Sequence, residues 1–377
     1  MTLNYNRLIS KKRAVVSAIN LVDGGTFKIL LDCLSAAETA LGPEWEVVAL
    51  VHKKNLISGS YVRCIEFPYV KLSWLSRLYV EWIVFNKLSK ELKPDLWFSL
   101  HDITPRIEAK RQALYAQNPA PFYRISLREA WIEPRFALFT ALYRYLYGAF
   151  IHRNNFVVVQ QCWLRDAFLK LFGKLNVIVA HPIIEQSCRE TALPILTEQK
   201  KIVFLYPAFA RVFKNFEVLC AAVRALPSAV TLAELIEVRL TIDGTESRYA
   251  RTLIRQYGET PGLNFIGQQS REAIDKHYAE CDVLVFPSKL ETWGLPISEA
   301  KALGKPLLVA DMPYARETVG NYNKVLFIDP NDPEKWTNKF MDILNGRIHY
   351  AGNTFQAPDH PYASNWNELW QLLTNGL

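Results

Sequence analysis

Short, continuous apolar runs alternate with stretches of helical spacing along this 377-residue chain, and that alternation restricts the fold more than any other feature. A run such as Asp282-Val-Leu-Val-Phe286 has no polar face, so it predicts a strand covered on both sides, in a parallel sheet whose crossovers are helices. Runs of this kind are expected as strands at Ala14–Leu21, Trp45–Val51, Asp95–Leu100, Ala113–Ala116, Phe156–Val159 and Asn176–Ala180, with helices at Phe27–Ala40 and Tyr79–Leu92. After a polar, proline-containing stretch at Thr191–Lys200 that reads as a linker, a second set begins, with strands at Ile202–Tyr206, Val238–Ile242, Asn264–Ile266, Asp282–Phe286, Pro306–Ala310 and Lys324–Ile328. The expected class is therefore α/β, with two halves of comparable size.

Composition removes several alternatives. Half of the residues are apolar, and Lys plus Arg exceed Asp plus Glu by 44 to 37, an excess that suits phosphorylated substrates or an anionic membrane without requiring nucleic acid. The six cysteines, at 33, 64, 162, 188, 220 and 281, form no CxxC pair and read as small core residues in a reducing compartment. No secretory signal and no membrane-spanning run is evident, so a cytoplasmic location is expected. The chain has no GxGxxG, which argues against a nicotinamide or flavin cofactor, and no DxD pair that would hold a diphosphate through a metal.

The most informative chemistry lies in Phe286–Gly304, FPSKLETWGLPISEAKALG. A strand ends at Pro287-Ser288, a tight loop follows, and a helix is expected from near Pro296 to Gly304. Free N–H groups at Leu295, Ile297 and Ser298, together with the helix dipole, favour an anion such as a phosphate, and Gly294 lets the backbone approach it. Glu291 and Glu299 flank this spot; beside a phosphate they are better suited to hydroxyl groups of a sugar or ribose, while on their own they could equally be a loop charge and a first-turn helix residue.

The residues Pro287, Ser288, Glu291, Gly294, Pro296, Glu299, Ala300, Ala302, Gly304 and Pro306 resemble the hallmark P-S-x-x-E-x-x-G-x-P-x-x-E-A-x-A-x-G-x-P of the retaining, GT-B-fold glycosyltransferases of family 4. The resemblance implies two Rossmann-like domains with parallel sheets facing across a cleft: residues 1–190 for the acceptor, 200–355 for the nucleotide-sugar, and a C-terminal helix, 356–377, packing back on the first domain. Trp366, Leu369, Trp370 and Leu373 at helical spacing supply an apolar face for that helix. It further implies that Glu291 lies by the donor sugar, that Glu299 binds the ribose, and that Gly294, Leu295 and Pro296 line the donor site. Arg211 and Lys214, which follow a strand and precede a helix, match the cations that clamp the donor diphosphate, so neither a metal nor another cofactor is expected; Arg211 stands nearer the Lys than the family spacing. Gly267 and Gln268 are expected at the base, and the Gly24-Gly25 turn at a phosphate or acceptor. Gln117, Asn118 and His101 end strands and are expected to reach the sugar or acceptor; Gln117 stands where many relatives have His, and it cannot carry a proton.

The resemblance implies a retaining hexosyl transfer from a nucleotide-sugar to a glycan, read here as a lipid-linked bacterial O-antigen or capsule precursor on polyprenyl diphosphate. Phe122–Arg153 mixes aromatics with arginines and, with Lys11, Lys12 and Arg13, could rest on the anionic inner face of the cell membrane; Phe136, Phe139, Leu142, Tyr143, Leu146 and Phe150 recur at helical spacing and are expected in the core. Two other classes stay open: a GT-B nucleotide-sugar epimerase, which needs acidic and His groups for proton transfer, and a non-catalytic assembly subunit, which needs no donor residues.

Overall fold

The computed structural model of the protein describes residues 11–22, 24–57, 62–182, 201–227 and 235–377, so the expected linker at 191–200 lies outside the described residues. The chain runs through β1 (Lys12–Ala18), α1 (Gly24–Ala40), β2 (Trp45–Val51), β3 (Val62–Glu66), α2 (Trp74–Tyr79), α3 (Phe85–Leu92), β4 (Leu96–Ser99) and β5 (Arg111–Ala116). Next come α4 (Leu127–Ile132), α5 (Pro134–Gly148), β6 (Phe156–Val159), α6 (Cys162–Phe172) and β7 (Val177–Ala180). The later part holds β8 (Ile202–Tyr206), α7 (Phe216–Arg224), β9 (Ile236–Leu240), α8 (Arg248–Tyr257), β10 (Leu263–Phe265), α9 (Arg271–Glu280) and β11 (Val283–Phe286). It continues with α10 (Leu295–Ala302), β12 (Leu307–Ala310), α11 (Pro313–Val319), β13 (Val325–Ile328), α12 (Pro333–Leu344), β14 (Tyr362–Ala363) and α13 (Trp366–Thr374).

Among the described residues these strands form two wholly parallel sheets, in the orders β14-β7-β6-β5-β4-β1-β2-β3 and β10-β9-β8-β11-β12-β13. Both are Rossmann-like, with the order reversing between β1 and β4 in one and between β8 and β11 in the other. The central strands carry no polar face: β4 and β11 are buried at every residue, which is why they read as unbroken apolar runs.

The chain divides into two units, one formed by described residues of 1–121, 142–183 and 358–377, the other by those of 122–141 and 184–357. The expectation of an uninterrupted first domain over 1–190 differs from this division: Phe122–Ala141 packs with the second unit. The reason is aromatic burial, since Tyr123 and Phe136 meet Phe213 with ring centroids 6.2 and 5.2 Å apart.

In the first unit, α13 closes the sheet. Trp370 is fully buried beside Leu369 and Leu373, and its indole N–H donates to the Cys33 carbonyl of α1 at 3.0 Å. Burying a side chain of that size contributes about 2–3 kcal/mol, and the hydrogen bond keeps the indole nitrogen from being stranded. Arg111 donates to the carbonyls of Leu373 and Asn375, both at 2.8 Å, and so satisfies two acceptors at the end of α13.

The single helix expected over Tyr79–Leu92 is instead α2, a wider π-helical turn at Val80–Val84, and α3, which stops at Lys93 in the left-handed region (φ 46°) before Pro94. Gly24 and Gly25 are the first residues of α1, not a turn ahead of it. The expected basic patch at Lys11–Arg13 is largely spent on the fold, because Arg13 pairs with Glu46 at 2.7 Å and Lys12 donates to the Leu377 carbonyl at 2.8 Å.

Candidate active site

The second unit gathers its chemistry at the C-terminal edge of β8 and β11, where the strand order reverses and open α/β sheets leave a crevice. After β8 the chain makes a short 3-10 turn at Val212–Lys214 and enters α7 through Asn215, held in the left-handed region at φ 59°. Asparagine tolerates that conformation, and its buried amide donates to the carbonyls of Pro330 at 2.7 Å and Pro287 at 3.2 Å. The Tyr206 hydroxyl donates to the Lys214 carbonyl at 2.7 Å, and the Lys289 N–H to the Phe213 carbonyl at 2.8 Å. These bonds stitch the loop after β8 to the loop after β11. Lys214 Nζ consequently lies 2.5 Å from Glu291 Oε1, with the two side chains only 15% and 14% exposed. The sequence offered the two as separate cation and carboxylate; the fold makes them one ion pair.

Beyond Glu291 the chain turns at Gly294, whose φ of 89° favours glycine; the constraint is the backbone conformation and not space, since a Cβ there would make an ordinary contact with Ile297 Cδ1 at 3.4 Å. α10 starts at Leu295, with Pro296 in its first turn. One expectation is corrected here. The Ile297 N–H donates to the Gly294 carbonyl at 3.0 Å, because the chain tightens into a three-residue turn as the helix begins, so it is not a free donor for an anion. Glu299 is also engaged: Oε2 accepts from the Tyr278 hydroxyl at 2.7 Å, and Oε1 pairs with Arg271 at 2.5 Å. Tyr278 is buried, and burial together with the Glu299 charge pushes its hydroxyl well above its ordinary pKa, so it remains a donor. Arg271 is the more open partner, 65% exposed against 22% for Glu299.

Gly267 follows β10 at φ 69°, and a Cβ there would come within 2.8 Å of Asp243 Oδ2; Gln268 beside it is exposed. Asp243 accepts from the Thr245 hydroxyl at 2.6 Å and its N–H at 2.9 Å, which holds the carboxyl below its usual range.

Sequence reading missed Glu133. Its carboxylate accepts from Arg211 Nε at 2.9 Å and from the Val212 N–H at 3.1 Å, while the Phe136 ring lies 4.8 Å from the Arg211 guanidinium. The only signal in the sequence was the Ser126-x-x-Glu129 capping box that starts α4 and the Glu133-Pro134 step that ends it.

The strand-end candidates of the first unit are engaged within it. His101 is 1% exposed; its ring nitrogens lie 2.9 Å from Ser17 Oγ and 3.3 Å from Arg77 Nη2, and burial together with Arg77 holds it well below the usual histidine range, hence neutral. The expectation that His101 reaches a sugar or acceptor is therefore corrected: it belongs to a buried network with Arg77 and Glu81, whose carboxyl is pushed up to about 7 by burial. Gln117 donates its amide to the Leu100 carbonyl at 2.7 Å, and the N–H groups of Gln117 and Asn118 both donate to Asp102, at 2.7 and 3.0 Å. Asp102 also accepts from the hydroxyls of Tyr147 and Tyr143, at 2.7 and 3.1 Å. Of the aromatic set in 122–153, Phe136, Tyr143 and Tyr147 are buried, but Leu142 and Phe150, expected in the core, are exposed. Among the described residues no group of three or more His, Cys, Asp or Glu side chains is arranged to hold a metal ion.

Residues 191–353 match the family model of the glycosyl transferases group 1. The D-inositol 3-phosphate glycosyltransferase of Rhodococcus erythropolis is 29% identical over 125 residues, which cover 33% of this chain and 27% of that protein; the chain thus spans about a quarter of the length of the curated relatives it matches. Among solved structures, the lipopolysaccharide outer core galactosyltransferase WaaB superposes with a TM-score of 0.63 at 14% identity, covering 90% of this chain and 92% of that one. Anabaena Alr3699/HepE in complex with UDP-glucose superposes with a TM-score of 0.59 at 16% identity, covering 89% of each. At such identities the likeness speaks for the fold. The chain therefore adopts a GT-B fold and, over residues 191–353, matches the model of the glycosyl transferases group 1.

Proposed function

We propose that the protein is a retaining glycosyltransferase that moves a hexosyl group from a nucleotide-sugar to a glycan acceptor. The observation that carries this is the Lys214–Glu291 pair, set beside Gly294 and the start of α10 where the order of the second sheet reverses. In this reading Lys214 and Arg211 balance charge on a departing diphosphate, a large electrostatic demand of the reaction. Glu291 offers a carboxylate to the sugar's hydroxyls. Glu299 offers one to the ribose once the exposed Arg271 gives way. The bond from the anomeric carbon to the phosphate oxygen breaks with its electrons going to the nucleoside diphosphate; the acceptor oxygen bonds that carbon on the same face, and its proton passes to the leaving phosphate oxygen.

We read the acceptor as a lipid-linked glycan such as an O-antigen or capsule precursor, handled at the cytoplasmic face of the cell membrane. Supporting this, the second unit exposes Leu127 (93%), Trp131 (70%) and Leu138 (61%) among Arg124, Arg128 and Arg135, a mixture suited to an anionic lipid surface. No helix among the described residues is long and apolar enough to cross a membrane.

A thermal-shift panel of UDP, GDP, ADP and dTDP and their sugars tests the donor half of this reading. Stabilisation by one base family, lost in Lys214→Ala, is the expected result, because a ligand that binds only the folded state raises stability. A panel without any shift removes the proposal.

A further inference from the structure

Resting on the donor reading above, we infer that Glu133 is a positioning residue that aims Arg211 at the donor diphosphate, with Phe136 holding the face of the guanidinium.

Glu133 sits at a corner built for this purpose. The Ser126 capping box fixes the start of α4, with the Ser126 N–H donating to Glu129 at 2.8 Å. At the other end the Glu133 N–H closes α4 on the Glu129 carbonyl at 2.8 Å, while the Glu133 carbonyl accepts from the N–H groups of Phe136 and Ala137, at 3.0 and 3.1 Å, as α5 begins. One residue thus ends one helix and starts the next, so its backbone is fixed from both sides. Arg248 packs over Trp131, 4.0 Å from the ring, and ties α4 to α8.

From that corner the carboxylate uses one oxygen on Arg211 Nε and the other on the Val212 N–H. Phe136 and Phe213 lie 4.8 and 5.7 Å from the guanidinium carbon. The terminal nitrogens Nη1 and Nη2 make no hydrogen bond within the described residues, and the Arg211 side chain is 43% exposed. An arginine held by Nε and by its face, with its outer two nitrogens left over, is prepared for a phosphate: the fork is already oriented, so less freedom is lost when the anion arrives. The consequence is that residues 122–141, which precede the matched family segment 191–353, complete the donor unit.

The competing reading is that Glu133 merely repels the donor. The two differ in sign. If Glu133 opposes the anion, removing its charge tightens binding; if it positions Arg211, removing it loosens binding, and only for ligands that reach Arg211. The experiment measures the affinity of the full chain for the nucleoside diphosphate that stabilises it, for the matching monophosphate and for the nucleoside, in wild type, Glu133→Ala, Glu133→Gln, Arg211→Ala and the Glu133→Ala/Arg211→Ala double variant. Glu133→Ala is expected to weaken diphosphate binding about tenfold and leave the nucleoside unchanged, with Glu133→Gln intermediate because it keeps an acceptor for Nε. The double variant is expected to bind as Arg211→Ala does, since the two residues act through one contact. Equal or tighter binding by Glu133→Ala, an equal loss for nucleoside and diphosphate, or additive losses in the double variant would overturn the assignment. A wild type that binds no nucleotide fails earlier, before any variant is compared, and takes the donor reading down along with this one.

Discussion

The two sheets reverse their strand order in the same way, yet the two reversal points hold different chemistry. In the first unit, Ser17 at the end of β1 and His101 just beyond β4 join Arg77 and Glu81 in a network whose side chains are at most 9% exposed. In the second, Lys214 beyond β8 and Glu291 beyond β11 form a pair left about 15% open. Equivalent topology therefore does not imply equivalent use. What separates them is solvent: a charge network sealed from water is a structural commitment, because no ligand can replace its partners, whereas a pair at the edge can exchange one partner for a substrate group.

The largest expected effect attacks the open pair. Lys214→Ala should reduce sugar transfer by about 100- to 1,000-fold, the scale for losing one preorganised group at a developing charge, while changing stability little. Steady-state kinetics beside a urea melt measure both, and an active variant would erase the distinction between the two reversal points. Arg77→Leu strikes the sealed network instead: depriving Glu81 and the His101 carbonyl of their buried guanidinium donor should cost about 3 kcal/mol in urea unfolding without altering nucleotide affinity. A change in affinity there would show that the first reversal point also serves the ligand.

Acid titration sharpens the same contrast. Glu81 has a folded pKa of about 7 against an ordinary 4.5, so the folded protein keeps a proton that the unfolded chain has released, and this contribution to stability is full below about 4.5 and lost as the pH rises towards 7. His101 acts in the opposite sense: its folded pKa lies below the ordinary 6.5, so its contribution is full above 6.5 and falls as acid charges the unfolded chain. Glu81→Gln should remove the Glu81 contribution, with the difference from wild type changing by up to about 3 kcal/mol between pH 4.5 and 7. Identical pH profiles for the two proteins would mean that the carboxyl is not protonated in the fold. The smallest effect is expected for His101→Gln: transfer rates within about twofold of wild type, at some cost in stability. A rate loss on the scale of Lys214→Ala would restore His101 to the site.

Much of this architecture could be read from residue order. β4 and β11 are buried on both faces and so appear as unbroken apolar runs, and the apolar face of α13 repeats at helical spacing with Trp366 and Trp370. Gly294 announces a backbone conformation that few other residues accept. The reading went astray where a side chain's partner is distant in sequence. His101 ends a strand, as ligand-binding residues often do, but its exposure is decided by Arg77 and Glu81 on the preceding helical segment. The free N–H expected at Ile297 is consumed by a turn whose tightness no local pattern shows.

Taken alone, the order of residues determined which segments become strands and helices, and where glycine bends the chain, because burial on two faces and backbone sterics are local demands. Only the tertiary structure decided that Lys214 meets Glu291, separated by 77 residues, and that Glu133 meets Arg211, separated by 78. Such pairings depend on the course of whole elements through space, and a charge carries no mark in the sequence of the partner that will neutralise it.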